Sequence, residues 1–129
     1  MKRSSMLKSS KIFAELFDVS KGAYSVKGKF LTVKFRLFPS EKPQAKVGFV
    51  VGKRWVKRAV DRNFVKRRLR EAYRQQQFIL VKDLSYLVND QGIELIFIYR
   101  SRHMISSREI FVEVSELMLR MSHRLRSIQ

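Results

Sequence analysis

Ten Lys and Arg side chains fall within the 22 residues from Lys53 to Arg74, against two acids, Asp61 and Glu71. Side chains of that kind at that density hold phosphate. Each neutralises one negative charge and releases a counterion, and the planar Arg fork can donate two parallel hydrogen bonds. Their spacing sorts them. At 100° per residue, Arg62, Lys66 and Arg70 form one helical stripe with Asn63, Arg67 and Arg74 beside it, while Val65, Leu69, Ala72 and Tyr73 occupy a separate apolar arc. From Arg62 to Arg74 the cationic side runs about 18 Å along the axis, the reach of a few successive phosphates. Asn63 both donates and accepts, which suits a base edge or a 2′-hydroxyl. An ordinary solvated face mixes signs, and this one scarcely does, so a polyanionic partner is expected.

The other titratable residues offer no rival chemistry. His103 and His123 have no partners at metal-ligand spacing. Glu109, Glu113 and Glu116 share a helix face, a pattern read as offsetting the neighbouring basic charge. No constellation of side chains points to phosphodiester hydrolysis by the protein itself. Cysteine is absent, which excludes a disulfide-linked partner, thiolate metal sites and Cys nucleophiles, and fits a reducing compartment.

These residues need a scaffold, and the composition allows one. The net charge of +17 sits on a chain that is 45% hydrophobic and 12% aromatic, enough for one folded domain over its 129 residues rather than a disordered basic tail. No apolar run approaches the roughly 20 residues that span a bilayer. The first residues lack a signal-peptide core. A cytoplasmic protein without a membrane partner is expected.

Residues 1–9 read as a basic lead-in. Ser9 or Ser10 can cap a helix to about Val19 with Ile12, Phe13, Leu16 and Phe17 at helical spacing. For Phe13 and Phe17, core burial and stacking on unpaired bases both remain open; a stack contributes ~1–3 kcal/mol. The segment Lys21–Gly28 reads as a turn-rich connector. A strand follows from Phe30 to Phe38, with Leu31, Val33, Phe35 and Leu37 on one side and Thr32, Lys34 and Arg36 on the other. Pro39 and Pro43 bracket a loop, and Lys46–Gly52 is expected to pair with the first strand as an antiparallel hairpin. The basic helix is expected over about Val56–Gln76, with Trp55 read as packing at its start before the alternative of a base platform. Phe78–Asp90 reads as a helical continuation or a short second helix, and Ile93–Arg100 as a buried strand. Ser106 and Glu109 form a capping box for a last helix whose apolar seam is Ile110, Phe111, Val114, Leu117, Met118, Met121 and Leu125. The order αββαβα predicts an α+β, two-layer α/β sandwich.

Within this frame, Lys53-Arg54, Ala59, Arg62-Asn63, Lys66-Arg67, Leu69-Arg70-Glu71 and Arg74 resemble the signature of the bacterial ribonuclease P protein family, and the match extends upstream through Val47-Gly48-Phe49. Phe13 and Phe17 resemble the two phenylalanines of that family's first helix. Two departures stand out: Phe64 occupies the third position of an Arg-Asn-Arg triplet, and the segment 75–92 is longer than usual.

The resemblance implies a ribosomal-protein S5 domain 2-like fold with a left-handed βαβ crossover. It implies a subunit of a ribonucleoprotein endonuclease in which the RNA, with bound Mg²⁺, removes the 5′ leader of precursor tRNA; no protein side chain is singled out for catalysis or for metal binding. Contacts to the catalytic RNA would come from Lys53, Arg54, Arg58, Arg62, Asn63, Lys66, Arg67, Arg70 and Arg74. The leader would lie in a cleft with Phe13, Phe17, Lys34 and Arg36, lined also by Phe30, Phe35 or Phe38. The alternative is a ribosomal or general RNA-binding protein of the same fold without a processing role. DNA binding is disfavoured by the lack of a helix-turn-helix, and membrane binding because the apolar side of the basic helix belongs to a core.

Overall fold

A computed structural model describes residues 23–80 and 91–128. In chain order they form β1 (Tyr24–Lys27), β2 (Leu31–Pro39), β3 (Ala45–Val51), α1 (Ala59–Gln76), β4 (Gln91–Tyr99) and α2 (Ser107–Ile128). The sheet runs β1-β2-β4-β3; β1–β2 and β2–β4 are antiparallel and β3–β4 is parallel. The architecture is α+β, as expected.

Strand β4 takes a central place because its sequence is apolar on both faces. Ile93, Leu95, Ile96, Phe97 and Tyr99 are all fully buried, a pattern that an edge strand would leave in water. The hairpin expected between the two long early strands therefore does not form. Residues 40–44 carry the chain past β4; at about 3.3 Å each they reach roughly 16 Å, enough to clear one strand at ~10 Å. The Ile93 amide donates to the Gln44 carbonyl at 2.8 Å, which fastens this loop to the start of β4. Strand β3 then returns to β4 through α1 as a βαβ unit.

The stretch Lys21–Gly28 is not simply a connector, since β1 occupies half of it. Val26 enters the core and Tyr24 stacks on Phe35 with ring centroids 5.5 Å apart. The turn to β2 is held from a distance. Glu113 of α2, read as offsetting nearby basic charge, is buried and accepts the amide hydrogens of Lys29, Phe30 and Leu31 at 2.8, 2.9 and 2.6 Å. Gly28 leaves room for that carboxyl; a Cβ there would come within 2.8 Å of it.

Helices α1 and α2 cover one face of the sheet. Phe49 and Phe97 stack at 5.9 Å and 13°, with Tyr73 edge-on to both. Burial pushes the Tyr73 phenol up to about 12. The capping box forms: the Glu109 amide donates to Ser106 Oγ at 3.1 Å and Ser106 Oγ to Glu109 Oε1 at 3.0 Å. The expected seam of α2 is buried except at Phe111, which is 39% exposed. Among the described residues, no helix is long and apolar enough to cross a membrane.

Candidate nucleic-acid interface

The basic helix begins at Ala59, three residues later than its periodicity suggests. Residues 53–55 form a turn first, in which the Trp55 and Val56 amides both donate to the Gly52 carbonyl at 3.1 Å. Arg62 holds this turn against the helix. Its Nη1 donates to the Val56 and Lys57 carbonyls at 3.0 and 2.6 Å, so one of its nitrogens serves the fold, and the half-buried side chain keeps its other donors for further bonds. Val65, Leu69, Ala72, Tyr73 and Gln76 are buried, which fixes the rotation of α1. Gln76 also donates from Nε2 to the Phe111 carbonyl at 3.0 Å, tying α1 to α2.

That rotation turns a cationic arc to solvent. Asn63, Arg67 and Arg70 are exposed and Lys66 is half-buried. Among the described residues, none of Lys66, Arg67 and Arg70 is paired with a carboxylate. Lys53 and Arg54 are exposed on the preceding turn. Arg58 approaches Asp61 at 3.8 Å, with both side chains well exposed; such a pair contributes little and is readily exchanged for another anion. Arg74 differs from its neighbours. Its Nε donates to Glu71 Oε2 at 3.1 Å and its Nη2 to Oε1, and this bonding holds the Glu71 carboxyl below its usual range. Two of the nine expected contact residues thus face an acid, Arg58 loosely and Arg74 through two hydrogen bonds.

Phe64 borders the arc on the side of α2, where it shares a groove with Arg67. The Arg68 guanidinium lies 4.2 Å from its ring centroid, and Arg68 Nη1 donates to the Ile105 carbonyl at 2.7 Å. Phe64 and Phe111 line a groove of about 530 Å³ between the two helices.

A second charged region occupies the sheet face away from α1 and α2. Lys34, Arg36 and Phe38 alternate along β2 and pair in register with Ile96, Glu94 and Gly92. Arg36 Nη2 lies 3.5 Å from Glu94 Oε2, and both side chains are largely buried. Lys46 of β3 pairs with Glu94 from the other side and sets its Nζ 5.2 Å from the Phe38 ring centroid. Phe38 covers Gly92, where a Cβ would meet the ring at 2.7 Å. Phe35 is fully buried on the opposite face and Phe30 tilts against Tyr99 at 6.5 Å. Of the three candidate cleft aromatics, Phe38 is therefore the one that shares a face with Lys34 and Arg36. Phe13, Phe17 and the basic lead-in lie outside the described residues.

Sequence reasoning left Phe38 as one of three candidates and missed Lys46. The alternation that placed Lys34 and Arg36 extends to Phe38; Lys46 needed the parallel register of β3. Among the described residues no three His, Asp or Glu side chains come together as a metal-ligand group.

The fold and its two cationic surfaces define a class, a small α+β domain that presents positive charge to a polyanion. A family model described as Ribonuclease P matches residues 1–122, and the chain belongs to that family. It is 48% identical over 59 residues to the ribonuclease P protein component of Chlorobaculum tepidum, a match spanning 44% of this chain and 38% of that protein. The corresponding protein of Pseudoalteromonas atlantica is 29% identical over 90 residues, 70% of this chain and 68% of its own length. Among solved structures, the RNase P protein of Thermotoga maritima superposes with a TM-score of 0.66 at 20% identity, covering 89% of this chain and 96% of that one. The Staphylococcus aureus protein does so with 0.64 at 18%, covering 91% and 94%. At these identities the structural likeness is one of fold.

Proposed function

We propose that this chain is the protein subunit of a cytoplasmic ribonuclease P, a ribonucleoprotein that removes the 5′ leader of precursor tRNA. The observation that carries this reading is the arc of Asn63, Lys66, Arg67 and Arg70, turned outward by the buried side of α1 and unpaired with carboxylates, in a chain whose family is ribonuclease P. The arc docks on the catalytic RNA, extended by Lys53, Arg54, Arg58 and the outward half of Arg62. Guanidinium forks there meet phosphates two bonds at a time, and Asn63 meets a base edge or a ribose hydroxyl.

The sheet face with Lys34, Arg36, Lys46 and Phe38 receives the single-stranded leader. Its charges follow the backbone, and Phe38, with Phe13 and Phe17 of the expected first helix, presents rings to unstacked bases. Phosphodiester cleavage belongs to the RNA with its own Mg²⁺, which activates the attacking water. The protein contributes binding and neutralisation of RNA charge, which lets the RNA fold and hold substrate at lower Mg²⁺.

Reconstitution tests this directly. The purified protein, added to a bacterial RNase P RNA at low Mg²⁺, is expected to stimulate leader removal from precursor tRNA. RNA binding without stimulation would favour a general RNA-binding role.

A further inference from the structure

We propose that the pocket around Trp55 holds one unpaired nucleotide, its base against the indole and its phosphate among Arg54, Arg58 and Arg102. The pocket is open, about 590 Å³, and lies between the turn before α1 and the loop after β4. Its wall carries Arg54, Lys57, Arg58 and Arg102 against one acid, Asp61. Trp55 is not a core residue; it is half-exposed, and it supplies the aromatic surface of this cationic hollow.

The ring contacts separate this site from a structural stack. Arg68 closes on Phe64 at 4.2 Å and is locked by its bond to a backbone carbonyl. The guanidinium carbons of Arg54 and Arg102 stand 5.4 and 6.0 Å from the Trp55 ring, and among the described residues neither forms an ion pair. They are close enough to hold a charge beside the indole, and their exposed donors can exchange water for a phosphate. A nucleotide meets both needs, since its base stacks on an aromatic surface and its phosphate accepts from guanidinium groups.

Both walls are rigid before any ligand arrives. Arg62 clamps the turn that carries Trp55, through the Val56 and Lys57 carbonyls. The loop that carries Arg102 is pinned by the buried Tyr99, whose hydroxyl donates to the His103 carbonyl at 2.7 Å and accepts from the Ile105 amide at 3.3 Å. Arg68 holds the same Ile105 from α1. A preorganised pocket of this kind loses little entropy on binding.

The inference rests on the reading of this chain as an RNA-binding subunit and adds a single-nucleotide site to it. Trp55 is the chain's one tryptophan, so its emission reports the pocket alone. Titration of the full-length protein with a short single-stranded oligouridylate is expected to quench that emission saturably. Equal quenching by inorganic phosphate or by a duplex of the same length would overturn the base stack, as would oligonucleotide binding that leaves the emission unchanged. By anisotropy of the labelled oligonucleotide, Trp55→Ala should weaken binding about tenfold and Trp55→Phe less than threefold. Arg102→Ala should weaken it and lower the salt slope, with thermal stability unchanged. Wild-type affinity in Trp55→Ala would overturn the proposal.

The reconstituted holoenzyme identifies the source of the nucleotide. In Trp55→Ala, lost affinity for RNase P RNA alone assigns it to that RNA, loss only for precursor tRNA assigns it to the substrate, and loss for neither overturns the site. If wild-type protein stimulates leader removal while Trp55 stays silent, this proposal alone fails; if it neither binds RNA nor stimulates, the functional reading fails as well.

Discussion

The two cationic regions of this protein hold their charges in opposite ways. On α1, Arg67 and Arg70 stand in water, rooted in a helix whose other side is buried. On the sheet, Arg36 is largely buried beside Glu94. Charge in water is cheap to keep, acts over a Debye length and weakens with salt. Buried charge requires a partner and a fixed geometry, and removing one member leaves the other stranded. The helix surface therefore suits adaptable docking on a large RNA, while the sheet face suits exact placement of a short strand.

The sharpest way to break this contrast is Arg36→Ala. It strands the Glu94 carboxylate and should cost roughly 3 kcal/mol of folding stability, read as a fall in the denaturant midpoint. Lys66→Ala should stay within about 0.5 kcal/mol of wild type in the same assay. Equal losses would erase the distinction between the regions.

The buried side of α1 gives the protein a pH dependence of its own. An unfolded tyrosine loses its proton near 10, and folded Tyr73 near 12. Between those values the unfolded state binds fewer protons, so stability present below pH 10 is lost as pH rises through 12, by roughly 2–3 kcal/mol. Tyr73→Phe should flatten most of that decline in alkaline unfolding, leaving the smaller contribution of Tyr99, which burial also shifts upward.

Phe38→Ala probes the sheet face as a leader site. It should weaken binding of precursor tRNA by about 1–2 kcal/mol in the holoenzyme and leave mature tRNA unaffected. Equal losses for both would return Phe38 to a packing role over Gly92. The smallest effect belongs to Glu71→Gln, which releases Arg74 to the arc. Affinity for the RNA should rise about twofold and the salt slope steepen by less than one, measured by filter binding.

Much of α1 was legible because an amphipathic helix declares itself locally: Val65, Leu69, Ala72 and Tyr73 recur at helical spacing and are buried as expected. The same held for the α2 seam and for the inward side of β2. What escaped depended on distant partners. Strand β1 is four residues long, too short for a period, and its turn is held by Glu113 more than eighty residues away. The hairpin expectation failed because pairing of β2 was decided by β4, whose two apolar faces make it central whatever lies between. Arg62 showed its charge in the sequence but not its bonds to the turn, which require the chain to fold back before the helix starts. Trp55 read as a packing residue because nothing local reveals the arginine on the loop after β4.

The most direct test of the docking arc is the salt dependence of binding to RNase P RNA, compared between wild type and the Lys66→Ala, Arg70→Ala double variant. The account predicts a slope of log affinity against log salt that is shallower by about 1.5, since two phosphate contacts are lost, with an unchanged melting temperature. A folded double variant with the wild-type slope would contradict it.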